Sequence, residues 1–146
     1  MIQKVKIRKA KLSDLAKIYK LFKQLADLSI SLDDEDIWFK EKEIIKQKVK
    51  EQKIIVATNK QQIVGHLAFE EYSKSIEIDT LIVDGKYRKR GIGTMLVNDF
   101  MDKIKGINLP LRVGTYKCYD CKDFYLKLGF KLIPQHELAN TWEFIK

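Results

Sequence analysis

The segment Val83-Asp84-Gly85-Lys86-Tyr87-Arg88-Lys89-Arg90-Gly91-Ile92-Gly93-Thr94 combines four basic side chains with two closely spaced glycines, just ahead of a helical apolar pattern. A helix N-terminus leaves backbone N–H groups without intrahelical partners, and its dipole is positive there. Gly91 and Gly93 remove the Cβ atoms that would hold a phosphate away, so the segment reads as an anion cradle. Arg88 and Arg90 make a diphosphate its natural guest. Two nucleotide patterns do not fit. The P-loop ends in Gly-Lys-Ser/Thr, which is absent here, and a dinucleotide fingerprint needs a third glycine where Leu96 stands. An ordinary strand-to-helix turn, whose glycines serve only the turn, stays open as the alternative. Upstream, Glu77 and Asp79 stand two residues apart in a strand pattern and so share a face, where a carboxylate can accept a proton.

The elements that must position these residues are legible from periodicity. Val5 and Ile7 alternate with charged neighbours, which predicts a half-exposed first strand. Leu15, Ile18, Tyr19, Phe22, Leu25 and Ala26 recur at helical spacing behind Ser13, so a helix is predicted over 14–28 with Ser13 as its N-cap. The run Asp33-Asp34-Glu35-Asp36 opens a second helical pattern, where the dipole favours acids. Strand patterns come next at 53–58, 62–72 and 76–83, and their short connections predict antiparallel neighbours. Ile92 to Ile104 marks a helix, Leu109 to Val113 a buried strand with Pro110 at its start, and Cys121 to Leu128 a short helix stopped by Gly129. Phe130 to Ile133 and Thr141 to Ile145 are two closing strands. The order β-α-α-β-β-β-α-β-α-β-β predicts an α/β (α+β) domain with a single mixed, mostly antiparallel central sheet flanked by helices.

Composition bounds the rest. A chain of 146 residues with 45% hydrophobic content, seven Gly and two Pro is one globular domain, and collagen-like, low-complexity and disordered classes are excluded. No run of about 18 apolar residues is present, and the alternating first eight residues lack the apolar stretch of a signal peptide; a cytoplasmic protein without membrane association is expected. Net charge is +8, but lysines outnumber arginines 24 to 4 and are scattered between acids. A nucleic-acid binder concentrates basic and aromatic residues on one face, so no nucleic-acid partner is expected.

The pattern Arg88-x-x-Gly91-x-Gly93, preceded by Val83-Asp84-x-x-Tyr87, resembles the acyl-CoA signature of the GNAT family of N-acetyltransferases, Gln/Arg-x-x-Gly-x-Gly/Ala. Phe124-Tyr125-Leu126-Lys127-Leu128-Gly129-Phe130 is similar to the family's Phe-Tyr-x-Lys-x-Gly-Phe element, and the element order agrees over nearly the whole chain. The resemblance implies a single N-acetyltransferase domain over residues 1–146 with the acyl-CoA N-acyltransferase fold. It implies transfer of an acetyl group from acetyl-CoA to a primary amine, of a small molecule or a protein, by direct attack in a ternary complex without metal. Arg88, Lys89, Arg90, Gly91, Ile92, Gly93 and Thr94 would bind the pyrophosphate; backbone groups of Leu81, Ile82 and Val83 would pair with the pantetheine arm as an added strand, with Phe124 and Tyr125 beside the cofactor. Tyr125 would protonate the departing thiolate. The family often forms homodimers. A non-catalytic CoA-binding or interaction module of the same fold is the alternative.

Some positions depart from the family pattern. Cys118 and Cys121 stand where Asn and Ala are frequent, Lys89 where glycine is frequent and Gly85 where proline is frequent. Two cysteines are too few for a disulfide framework, and with His66 and His136 they give no zinc-ligand spacing, so Cys118 and Cys121 read as pocket-lining replacements. His66, on a strand, reads as a hydrogen-bonded structural residue. Glu77 lies eleven residues before Arg88, where some members that acetylate protein lysines place their base; Glu77 is the first candidate and Asp79 the second. Asp33, Asp34, Glu35 and Asp36 would suit a cationic acceptor, although acids at a helix start need no substrate to explain them.

Overall fold

The computed structural model describes residues 4–26, 34–116, 122–134 and 139–144. The elements are β1 (Val5–Lys9), α1 (Leu15–Ala26), α2 (Glu35–Lys50), β2 (Ile54–Asn59), β3 (Gln62–Glu71), β4 (Ile76–Val83), α3 (Ile92–Lys103), β5 (Leu111–Tyr116), α4 (Lys122–Lys127), β6 (Lys131–Pro134) and β7 (Ala139–Phe144). Their order is the one the periodicity predicts. The strands form one seven-stranded mixed sheet in the order β1-β2-β3-β4-β5-β7-β6. Pairings β1–β2, β2–β3, β5–β7 and β6–β7 are antiparallel, and β4–β5 is parallel. The chain groups into two compact units, one of Met1–Ala68 with Thr80–Ile104 and one of Phe69–Asp79 with Lys105–Lys146.

In the first unit, α1 and α2 cover one face of the strands. Ile18, Leu21, Ile45 and Val49 pack with Ile54, Val56, Ile63, Ala68 and Ile82. Tyr19 and Phe22 join from α1, and the Phe22 ring stacks on Trp38 of α2 at 6.2 Å. A β-bulge sets which β3 residues share this face. Thr58 pairs with Ile63 but Ala57 with Gly65, so β3 carries one extra residue, Val64. Without the bulge, strict alternation would put Ile63 on the same side as Gly65, two residues away. With it, Ile63 joins the α1–α2 core while Gly65 faces α3, where a Cβ would meet Leu96 at 3.4 Å and the Ile82 carbonyl at 2.9 Å. Only glycine allows β3 and β4 to approach so closely there.

Two boundaries differ from the sequence expectation, and a third is described only in part. Ser13 is not an N-cap: it lies inside a 3-10 turn, Leu12–Asp14, that leads into α1. Asp14 takes the capping role instead, accepting the Lys11 N–H at 2.7 Å while Arg8 grips its carboxylate at 2.8 and 3.1 Å. The Arg8 hydrogen bond holds the Asp14 carboxyl below its usual range. The helix expected to reach residue 28 is described to Ala26, and its last two residues lie outside the described ones. The strand expected over Leu109–Val113 runs instead over Leu111–Tyr116, because Pro110 has no N–H for the ladder; its carbonyl receives the Ile76 N–H at 3.0 Å. On α2, Asp34 is the N-cap and accepts from the N–H groups of Asp36 and Ile37, which gives that acid a structural task. Asp33 lies outside the described residues.

Candidate functional site

In the first unit, β4 ends at Val83 and Asp84 organises the turn after it. The Asp84 N–H donates to the Val64 carbonyl at the bulge (2.8 Å), and its own carbonyl accepts the Tyr87 N–H (2.8 Å). Its Oδ1 accepts the Lys86 N–H (3.1 Å), capping the 3-10 turn Gly85–Tyr87, and its Oδ2 accepts from Lys17 Nζ of α1 (3.3 Å). Burial pushes the Asp84 carboxyl up, but the Lys86 N–H and the Lys17 ammonium outweigh it and leave the carboxyl below its ordinary value.

The chain then turns into α3 through two left-handed residues, Lys89 at φ +62° and Gly91 at φ +84°. Gly91 is the N-cap of α3, and no side chain caps the helix. Its carbonyl accepts the Met95 N–H at 3.0 Å, the first bond of the helix. The N–H groups of Ile92, Gly93 and Thr94 therefore have no acceptor within the helix. A Cβ built on Gly91 would meet nothing within 4 Å, so the backbone angle, not crowding, favours glycine there. Lys86, Arg88, Lys89 and Arg90 are all exposed around this terminus. The Arg90 guanidinium sits 5.4 Å from the Tyr87 ring centroid, and Arg88 Nε donates to the Val83 carbonyl at 3.2 Å. Arg88 to Thr94 thus gather at one helix end that has no side-chain cap and carries surplus positive charge. A diphosphate fits this chemistry.

The edge of β4 is the second feature. Its ladder with β5 comprises Ile76↔Leu111, Glu77↔Arg112 and Ile78↔Val113, after which β4 runs on through Leu81, Ile82 and Val83. The Asp84 N–H is directed to β3 while the Ile76 N–H is directed to Pro110 beside β5, so the alternation shifts within β4; counted back from Asp84, the backbone groups of Val83 face the edge away from β3.

In the second unit, Glu77 is half-buried and its Oε2 accepts from Ser75 Oγ at 3.2 Å, whereas Asp79 is exposed. Arg112, the ladder neighbour of Glu77, donates instead to Glu143 at 3.2 Å. Tyr125 is 5% exposed and held twice over. Helix α4 ends with Gly129 at φ +95°; the Phe130 N–H donates to the Tyr125 carbonyl (3.0 Å) and the Gly129 N–H to the Leu126 carbonyl (3.1 Å), which is a Schellman motif. The Tyr125 ring stacks on Trp142 at 5.8 Å and meets Phe124 and Phe130 edge to face at 5.0 and 5.5 Å. The Phe-Tyr-x-Lys-x-Gly-Phe run therefore has a local cause: its glycine ends the helix and its two flanking aromatics fix the tyrosine between them.

His66 is 1% exposed on β3, and its Nδ1 has no hydrogen-bond partner among the described residues, so the hydrogen-bonded role expected is not met at that nitrogen. Burial lowers its pKa to about 4, so it is a neutral core residue. Cys118, Cys121 and His136 lie outside the described residues. Among the described residues no three His, Cys, Asp or Glu side chains form a metal-holding group, and no helix is long and apolar enough to cross a membrane.

Comparison with known proteins agrees with this architecture. The family model described as acetyltransferase (GNAT) domain matches residues 33–146. The PaiA N-acetyltransferase of Thermoplasma acidophilum, solved in complex with coenzyme A, superimposes with a TM-score of 0.83 at 18% identity, over 99% of this chain and 100% of that one. A GNAT-family acetyltransferase from Staphylococcus aureus gives 0.78 at 19% identity, over 97% and 98% of the two chains. The N-acetylglutamate synthase of Neisseria gonorrhoeae, complexed with coenzyme A and N-acetylglutamate, gives 0.76 at 18% identity, over 97% of this chain and 35% of that one. At these identities the structural likenesses establish the fold.

Proposed function

The chain belongs to the GNAT acetyltransferase family, and from that premise we propose that it moves the acetyl group of acetyl-CoA to a primary amine by direct attack in a ternary complex. The observation that carries this reading is the start of α3: three helical N–H groups without a side-chain cap, behind a left-handed Gly91, ringed by Lys86, Arg88, Lys89 and Arg90. Those donors match a diphosphate, and coenzyme A was bound in the structures from Thermoplasma acidophilum and Neisseria gonorrhoeae. The β4 edge at Val83 offers backbone groups for the amides of a pantetheine arm.

The transfer asks three things of the side chains and backbone. An amine of pKa ~10.4 is neutral in only about one molecule per thousand at pH 7, so a carboxylate must take its proton, directly or through water. Glu77 is the candidate, with Asp79 second. Charge developing on the thioester oxygen needs an N–H donor near Val83. The Asp84 N–H is committed to Val64, which leaves the β4 amides themselves. Finally, a thiolate of pKa ~8.5 needs a proton from a phenol of pKa ~10, a modest uphill step, and Tyr125 would supply it.

The test is thiol release from acetyl-CoA across a panel of primary amines, including polyamines, aminoglycosides and lysine peptides. Amine-dependent release supports the reading. Tight CoA binding with no release on any amine would favour a non-catalytic CoA-binding module of the same fold.

A further inference from the structure

Asp84 poses an electrostatic problem. It lies at the base of a loop whose proposed guest is a diphosphate, and its carboxyl group is held ionised. An anion beside an anion site weakens that site. Its position is nonetheless fixed by the fold: its N–H is tied to the bulge carbonyl of Val64, its C=O to Tyr87 and its Oδ1 to Lys86, so it nucleates the turn that begins the loop. The remaining carboxylate oxygen meets Lys17 Nζ at 3.3 Å, with the two side chains 35% and 13% exposed for Lys17 and Asp84 respectively. Lys17 comes from α1, 67 residues away in sequence, and belongs to no motif.

We infer that Lys17 is a positioning residue for diphosphate binding that acts through Asp84. This rests on the proposed CoA-binding role of the 84–94 loop. Lys17 does two things there. It offsets the negative charge of Asp84 at the base of the cradle, so that charge does not diminish the field of Lys86, Arg88, Lys89 and Arg90. It also pins the second carboxylate oxygen, which keeps the first one on the Lys86 N–H and holds the Gly85–Tyr87 turn in register with the bulge. Exposed ion pairs contribute little to stability, so the consequence of losing this one falls on ligand affinity instead.

The experiment is a chemical-shift titration of wild type, K17M, K17R, D84N and K17M/D84N with CoA and, separately, with pantetheine, which lacks the diphosphate. K17M is expected to weaken CoA binding by about three- to tenfold, the effect of one partly screened charge. Pantetheine binding and the melting midpoint should stay near wild type, and K17R should restore CoA affinity. In the D84N background, K17M should cause a smaller loss, because the carboxylate it positions is already gone and only its own screened charge is removed. The inference is overturned if K17M binds CoA like wild type, if pantetheine weakens equally, or if the loss in D84N is as large as in the wild-type background, which would mean that Lys17 acts on the ligand without Asp84. Failure of the wild-type protein to bind CoA would overturn the reading of the loop beneath it, a result distinct from these.

Discussion

Phe130 donates its N–H to the carbonyl of Tyr125 at 3.0 Å while the two rings meet edge to face 5.5 Å apart, so one helix end fixes both the backbone and the ring of the tyrosine. This arrangement depends on Gly129, whose φ of +95° no L side chain adopts without strain. A Cβ added there would sit 3.0 Å from the Phe144 ring. Gly129→Ala should therefore cost about 1–3 kcal/mol from left-handed strain plus overpacking, read as a lower midpoint in urea or heat. An unchanged midpoint would mean that the ring and the helix end yield freely.

Tyr125→Phe removes a hydroxyl and leaves the ring in its aromatic setting, so the fold and CoA affinity should be retained. Turnover should fall by roughly 10²-fold or more, the usual worth of a positioned proton donor. Wild-type turnover in the variant would take the acid role from Tyr125. In parallel, Glu77→Gln should remove the acidic limb of the pH–rate profile, and a profile like that of wild type would exclude Glu77 as base.

Lys89 occupies a left-handed conformation, φ +62°, at a position where the family frequently has glycine. Comparing Lys89→Gly with Lys89→Ala isolates the backbone, since both lose the side chain. Elsewhere alanine is the more stable of the two; here glycine should be the more stable by about 1 kcal/mol. Alanine proving equal or better in equilibrium unfolding would contradict this geometry.

His66 predicts a pH dependence with a defined sign. Burial lowers its folded pKa to about 4, while the unfolded chain keeps a value near 6.5. As pH falls below about 6.5 the unfolded chain takes up a proton that the folded one refuses, so stability present above that pH is lost progressively toward pH 4. Urea midpoints at pH 7, 5.5 and 4.5 should decline in wild type and decline less in His66→Leu. Parallel declines would show that His66 is accessible to protons in the fold.

Much of the fold was legible because its signals are local. Strand and helix periods, Gly129 as a stop and Asp34 at a helix start each act within a few residues, and so does the glycine pair that opens α3. The features that escaped depend on partners distant in sequence. The Val64 bulge shows only once β2 is paired beside β3, and it decides that Ile63 joins the α1–α2 core. Ser13 has the residue type of a cap, but Arg8 draws Asp14 into that role. The tie from Lys17 to Asp84 spans two elements and leaves no spacing to read. Tyr125 was visible as a motif residue; its aromatic setting required Trp142 from another strand.

The central claim, that the backbone at the start of α3 holds the diphosphate of coenzyme A, is tested most directly by following individual amide resonances during CoA titration. The amides of Gly91, Ile92, Gly93 and Thr94 should show the largest shifts with CoA and stay still with pantetheine. Saturable CoA binding that leaves those four amides unmoved would contradict it.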